Sequence, residues 1–178
     1  LGVTVTPLHR QIQSYLDHLS VERGLAKNSL AAYGHDLARY EQFCESQKIT
    51  NAIEVTNSTV SDFLVSIRTG KDGNAPLVAS SASRTVIAVR GFHAFLTREG
   101  VTTTDPARQV KPPTPGKRLP KALPFHEVQA LLDAVGADSN GDLTVLMLRD
   151  RALIELLYGT GARISELIDL TVCLLYTS

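Results

Sequence analysis

Apolar residues recur at helical spacing along most of the chain, in blocks separated by turn-forming residues. Thr6-Pro7 sets a capping hydroxyl ahead of a proline at the first helical position, and Leu8, Ile12, Tyr15, Leu16 and Leu19 then fall on one face. This predicts a helix that Gly24 ends. A second helix is expected over about residues 28–47, turning Leu30, Tyr33, Leu37, Tyr40 and Phe43 or Cys44 inward. A third, over about 58–69, buries Val60, Phe63, Leu64 and Ile67. The stretch 70–76 is rich in turn residues. A fourth helix starts near Ser80 and carries Val86, Val89, Phe92 or His93, and Leu96 before Gly100. Four amphipathic helices with short connections predict a compact bundle.

The pattern breaks over residues 105–124, where five prolines follow Pro106 and Lys111, Lys117, Arg118 and Lys121 are interspersed. Proline stiffens and extends such a segment, so it reads as a connector between domains. A short helix is expected from Phe125 with Val128, Leu131 and Leu132, then a polar loop over 136–142, then a helix over about 143–158. The expected division is a helical domain at 1–109, a Pro/Lys-rich linker at 110–122, and an incomplete second domain at 123–172. The last residues, 173–178, match one reading frame of a transposon-end adapter used in sequencing libraries and read as a non-native tail; the alternative is a genuine β-strand. Cys173 and Tyr176 are therefore left out of the functional reading.

The 178 residues, 43% hydrophobic, allow one large domain or two small ones. Equal totals of acidic and basic residues hide an uneven spread. Residues 1–109 hold eleven Lys/Arg against ten Asp/Glu, 110–122 hold four against none, and 123–178 hold three against eight. Composition alone does not point to nucleic acid. Cys44 and Cys173 form no disulfide framework, and no histidines pair at ligand spacing, so neither a metal nor another cofactor is expected. No charged segment leads into an apolar run at the N-terminus, and no run approaches a membrane span, so a cytoplasmic protein is expected.

The run Leu157-Tyr158-Gly159-Thr160-Gly161-Ala162-Arg163-Ile164-Ser165-Glu166-Leu167 carries the clearest chemistry. It reads as an apolar helix, a glycine break, and a second helix with Arg163 in its first turn. A fresh helix end offers unpaired N–H groups and partial positive charge, and the arginine adds a planar donor fork. That combination suits a phosphate. A nucleotide-binding loop at 159–161 fits poorly, because the lysine and hydroxyl of a P-loop are missing. Taken by itself, Arg163 reads as a surface arginine capping the preceding helix.

The same run resembles the first arginine motif of the tyrosine site-specific recombinases, in particular the Xer branch. The resemblance extends through ordered pieces: residues 15–19 through Glu22-Arg23-Gly24-Leu25-Ala26-Lys27-Asn28-Ser29-Leu30, then Ala31-Ala32-Tyr33 and Asp36-Leu37, then 80–96, Asp105-Pro106-Ala107, Leu119-Pro120, and Leu148-Arg149-Asp150-Arg151-Ala152. It implies a mainly α fold, with a four-helix SAM-like core-binding domain followed by the first helices of a tyrosine-recombinase catalytic domain. Where the family often has basic residues after the tyrosine matching Tyr33, this chain has Gly34 and His35.

Members of that family clamp double-stranded DNA at short, near-palindromic sites and exchange strands through a 3′-phosphotyrosyl intermediate, without a metal. They resolve chromosome dimers or integrate mobile DNA, and they assemble as homo- or heterotetramers. The resemblance assigns Arg163 to neutralising the transition-state phosphate and Glu166, one turn on, to supporting it. It turns the second and fourth helices toward DNA. Lys27, Asn28 and Ser29 then lie where a helix N-terminus meets phosphate, with Arg39 about three turns on. Ser81, Ser83, Arg84 and Arg90 lie on the polar side of the fourth helix, and Lys111, Lys117 and Arg118 in the linker touch backbone. Each of the residues on the second and fourth helices, and Glu166, also reads as a solvated group on an ordinary helix. A downstream lysine, a His-x-x-Arg pair and a later tyrosine nucleophile cannot be placed in the sequence, so these residues are expected to bind DNA as a monomer without cleaving it. A non-catalytic DNA-binding module and a helical scaffold with no DNA role are the alternatives, and salt dependence of duplex binding separates them.

Overall fold

The computed structural model describes residues 6–114, 116, 122–135 and 144–170. Among them the regular structure is entirely helical. The chain divides into two units, Leu1–Arg118 and Leu119–Ser178.

The first unit holds α1 (Pro7–Val21), α2 (Lys27–Ser46), α3 (Asn57–Thr69) and α4 (Ala79–Arg98), with a 3-10 turn at Ala52–Glu54 that the periodicity does not announce. Thr6 Oγ1 accepts the His9 N–H at 3.1 Å and Pro7 opens α1, as the sequence predicts. The helix ends at Val21, three residues before Gly24. Gly24 adopts φ +57° just past the end, and the Leu25 N–H reaches back to the Leu19 carbonyl at 3.2 Å, which closes the turn. Thr56 caps α3, and Gly70 at φ +74° ends it. The Leu77 N–H then donates to the Ile67 carbonyl at 2.8 Å, folding the 70–76 turn back against that helix.

The expected inward faces are the ones that pack. Leu8, Ile12, Tyr15 and Leu19 of α1 meet Leu37, Tyr40, Phe43 and Cys44 of α2, Val60, Phe63 and Ile67 of α3, and Val86, Val89, Phe92 and Leu96 of α4 in one core. Leu16, Leu30, Tyr33 and Leu64 lie partly buried against it. Rings interlock through it, with centroids 5.4 Å apart for Tyr15–Phe95, 5.0 Å for Tyr40–Phe63 and 5.4 Å for Phe43–Phe63. Both Phe92 and His93 are buried, where the pattern left a choice between them. Past α4 the chain folds back onto the bundle. Ala107 and Val110 join the core, and the Asn57 side-chain amide donates to the Pro106 carbonyl at 3.0 Å. The packing thus reaches residue 110, where the proline content had suggested that the linker starts.

The second unit holds α5 (Phe125–Ala134), α6 (Val145–Thr160) and α7 (Ile164–Ile168). Its packing differs in kind. Among its described residues Val128 and Leu167 are the buried hydrophobics, while Phe125, Leu131, Val145, Leu146, Leu148, Ile164 and Ile168 stay exposed. Lys117 and Arg118 lie outside the described residues, as do residues 171–178 and the 136–142 loop. No described helix is long and apolar enough to cross a membrane.

Candidate nucleic-acid interface and the arginine turn

Two helices of the first unit start without a side-chain cap. α2 follows Ala26 and α4 follows Val78, and neither side chain can accept a hydrogen bond from the first-turn N–H groups. By contrast α1 and α3 start from Thr6 and Thr56, whose hydroxyls do accept them. At the start of α2 the residues Lys27, Asn28 and Ser29 are exposed, the Ser29 N–H donating to the Ala26 carbonyl at 2.9 Å. At the start of α4, Ser81 and Ser83 are half-buried.

α2 and α4 are locked together through a carboxylate midway along α2. Asp36, buried on α2, accepts from Arg84 Nε at 2.8 Å, from Arg84 Nη2 at 3.1 Å and from Thr85 Oγ1 at 2.8 Å. The carboxylate beside it raises the Arg84 pKa above its ordinary value. Further along, Tyr40 Oη and buried His93 Nε2 share a hydrogen bond at 2.9 Å. Burial lowers the His93 pKa from 6.5 to about 4. Along the outer face of α4, exposed Arg84 and Ile87 and half-buried Arg90 succeed one another at three-residue intervals. Among the described residues Arg90 takes part in no ion pair.

Sequence reasoning missed Asp36 as a site residue. It does lie three positions from Tyr33 and four from Tyr40, on the inward stripe of α2, and a carboxylate on an apolar stripe calls for a partner.

Arg39 has a different setting. Its guanidinium pairs with Asp72 through Nε and through Nη2 at 3.0 Å, and Nη2 also donates to the Ala75 carbonyl at 3.2 Å. Its side chain is 16% exposed. The arginine thereby pins the 70–76 turn to α2, and its hydrogen bonds to the Asp72 carboxylate lower the Asp72 pKa. It lines a groove of about 640 Å³ with Gln42, Ser58 and Lys71, among others. Lys111 is exposed beyond the bundle.

In the second unit the glycine break is narrower than the sequence suggests. Gly159 remains helical, and Gly161 alone, at φ +66°, ends α6, its N–H donating to the Leu157 carbonyl at 3.0 Å. Arg163 then precedes the first turn of α7 in extended conformation, at φ −74° and ψ 148°. Glu166 turns back on it. Its carboxylate accepts the Arg163 backbone N–H at 2.8 Å and the Arg163 Nη1 at 2.9 Å. These two bonds lower the Glu166 pKa, the backbone bond first. The arginine side chain is 82% exposed, so most of its donor edge faces outward.

Comparison with known proteins fits this arrangement. Residues 12–100 match the model of the phage integrase N-terminal SAM-like domain. The chain is 51% identical over 164 residues to tyrosine recombinase XerD of Mycobacterium tuberculosis, which covers 90% of this chain and 52% of that protein. It is 49% identical over 172 residues to XerD of Mycobacterium leprae, covering 96% of this chain and 54% of the relative. With XerD of Corynebacterium glutamicum it shares 44% identity over 161 residues, covering 90% and 52%. The chain therefore spans about half the length of these relatives.

Proposed function

The chain belongs to the phage integrase family and is a homologue of the Xer tyrosine recombinases, and from this premise we propose that its first unit grips duplex DNA in a protein that performs site-specific recombination. The observation that supports the grip is the pair of uncapped helix starts on α2 and α4, two helices held together by the Asp36–Arg84 pair. Uncapped N–H groups and a helix dipole favour a phosphate oxygen, and Lys27 adds charge at one such start. Asn28 and Ser29 can donate to the same backbone, and Ser81, Ser83 and Arg90 to the next stretch of groove.

In the parent reaction a tyrosine attacks a phosphodiester, the 5′ oxygen leaves, and a 3′-phosphotyrosyl link holds the broken strand. A free 5′ oxygen of another strand then reverses the step, so strands rejoin without loss of bond energy. We assign Arg163 to the non-bridging oxygens, where negative charge builds in the transition state, and Glu166 to holding its guanidinium in place. These 178 residues are proposed to bind without cleaving, as a monomer in solution. The tetramer on DNA, and the choice between chromosome dimer resolution and integration of mobile DNA, belong to the parent protein in this reading.

Fluorescence anisotropy of the full chain on a labelled duplex tests the grip. Affinity is expected to fall by orders of magnitude between about 50 and 200 mM salt if several phosphates are contacted. Lys27→Ala should flatten the salt slope by about one. Binding too weak to follow at low salt, or indifferent to salt, would favour the helical scaffold.

A further inference from the structure

We propose that Asp36 is a positioning residue that presents Arg84 end-on to a guanine in the major groove, which makes this pair the base-reading element of the surface. The inference rests on the duplex-binding reading above and deepens it.

A guanidinium has five N–H donors along two usable edges. Asp36 takes the side edge of Arg84, through Nε and one N–H of Nη2. The end edge, made by Nη1 and the second N–H of Nη2, remains. Two parallel donors at that spacing match O6 and N7 of guanine, which only the major groove displays together. The Arg84 side chain is 51% exposed while that of Asp36 is 7% exposed, so the fork is anchored in protein and its head reaches solvent.

The anchor is itself fixed. Asp36 accepts a third bond from the fully buried Thr85, whose hydroxyl also lies 3.1 Å from the Ser81 carbonyl oxygen. A free arginine loses much rotamer freedom when it binds, but here that loss has been incurred on folding. A mobile arginine reports charge, whereas a fixed one reports geometry.

The second arginine–aspartate fork of the unit shows what a purely structural pair looks like. Arg39 also gives Nε and Nη2 to a carboxylate, but Nη2 additionally donates to the Ala75 carbonyl and the side chain is 16% exposed. One donor of its end edge is thus taken within the protein, while among the described residues neither end-edge donor of Arg84 has a partner.

The test begins with selection of duplexes from a randomised library by the full chain. Each guanine of the selected duplex is then replaced in turn by 7-deazaguanine, which lacks the N7 acceptor. Wild type should lose roughly 5- to 150-fold in affinity at one guanine. Arg84→Gln should lose that sensitivity at the same guanine and at no other. Asp36→Asn should weaken the discrimination there while the salt slope, a measure of charge, stays as in wild type. Circular dichroism at the assay temperature shows whether Asp36→Asn is folded, and Arg84→Gln alone decides the matter if it is not. Sensitivity at no guanine, or sensitivity that persists in Arg84→Gln, would overturn the inference and leave duplex binding standing. A library that fails to enrich, with no salt-dependent binding, would overturn the duplex-binding reading and the inference with it.

Discussion

A methyl group at position 91 has no room. A Cβ built on Gly91 would sit 2.2 Å from the Tyr15 hydroxyl, and the Tyr15 ring is held between Phe92 and Phe95 with centroids at 6.0 and 5.4 Å. Gly34, the other glycine inside a helix of the bundle, meets nothing nearer than Leu16 Cδ1 at 4.0 Å. The two alanine substitutions should therefore act in opposite directions. Gly34→Ala gains helix propensity and should raise stability by up to about 1 kcal/mol. Gly91→Ala gains the same propensity but must displace a packed ring, for a net loss of about 1–2 kcal/mol. Urea unfolding of both variants measures the contrast, and a loss at Gly34 would contradict it. Buried His93 makes a second prediction. Its folded pKa of about 4 lies below the unfolded 6.5, so the unfolded chain binds the extra proton first. This contribution to stability is whole above pH 6.5 and is lost as pH falls toward 4, amounting to about 3 kcal/mol across the window. His93→Gln, which can still bond Tyr40, should show a flatter stability profile there. Sequence gave His93 as one of two inward options; its hydrogen bond to Tyr40 depends on a contact between helices that no local spacing encodes.

At the scale of elements, what could be read along the chain depended on how local the cause was. The cap of α1 was legible because Thr6 and Pro7 act within one turn. The inward faces were legible because periodicity is local too. The choice between Gly159 and Gly161 was not, since both can leave the helical region and the position where α6 ends decides between them. Nor was the pairing of Arg39 with Asp72 or of Arg84 with Asp36, which joins residues more than thirty positions apart. The missing cap at Ala26 carries a prediction that separates stability from binding. Ala26→Ser should supply an acceptor to the first turn of α2 and stabilise the unit by about 1 kcal/mol. The same hydroxyl would occupy N–H groups proposed to meet a phosphate, so duplex affinity should fall as thermal stability rises. Thr6→Ala is the companion measurement: it removes a cap remote from the proposed interface, and should lower stability by about 1 kcal/mol with duplex affinity unchanged.

The two units differ in how much they bury, and the difference bears on how the whole chain behaves. The first encloses a continuous core of aromatic and branched side chains from four helices. In the second, none of α6 is buried, although Val145, Leu146 and Leu148 lie on it. Three helices of this length cannot offset their conformational entropy through Val128 and Leu167 alone. Amide exchange in the full chain should therefore be slow through α1–α4, near the global unfolding limit in the middle of α4, and faster by orders of magnitude along α6. The exposure of Arg163 follows the same logic: the Glu166 carboxylate orders its backbone N–H and one edge of its fork, but little packing supports either residue. Burial of the apolar face of α6 would slow its exchange, and the arginine turn, joined to α6 through Gly161, should gain protection in step with it. If the full chain already protects α6 as strongly as α4, the second unit has a source of stability other than the side chains described, and the order at Arg163 must then be credited to that source rather than to Glu166.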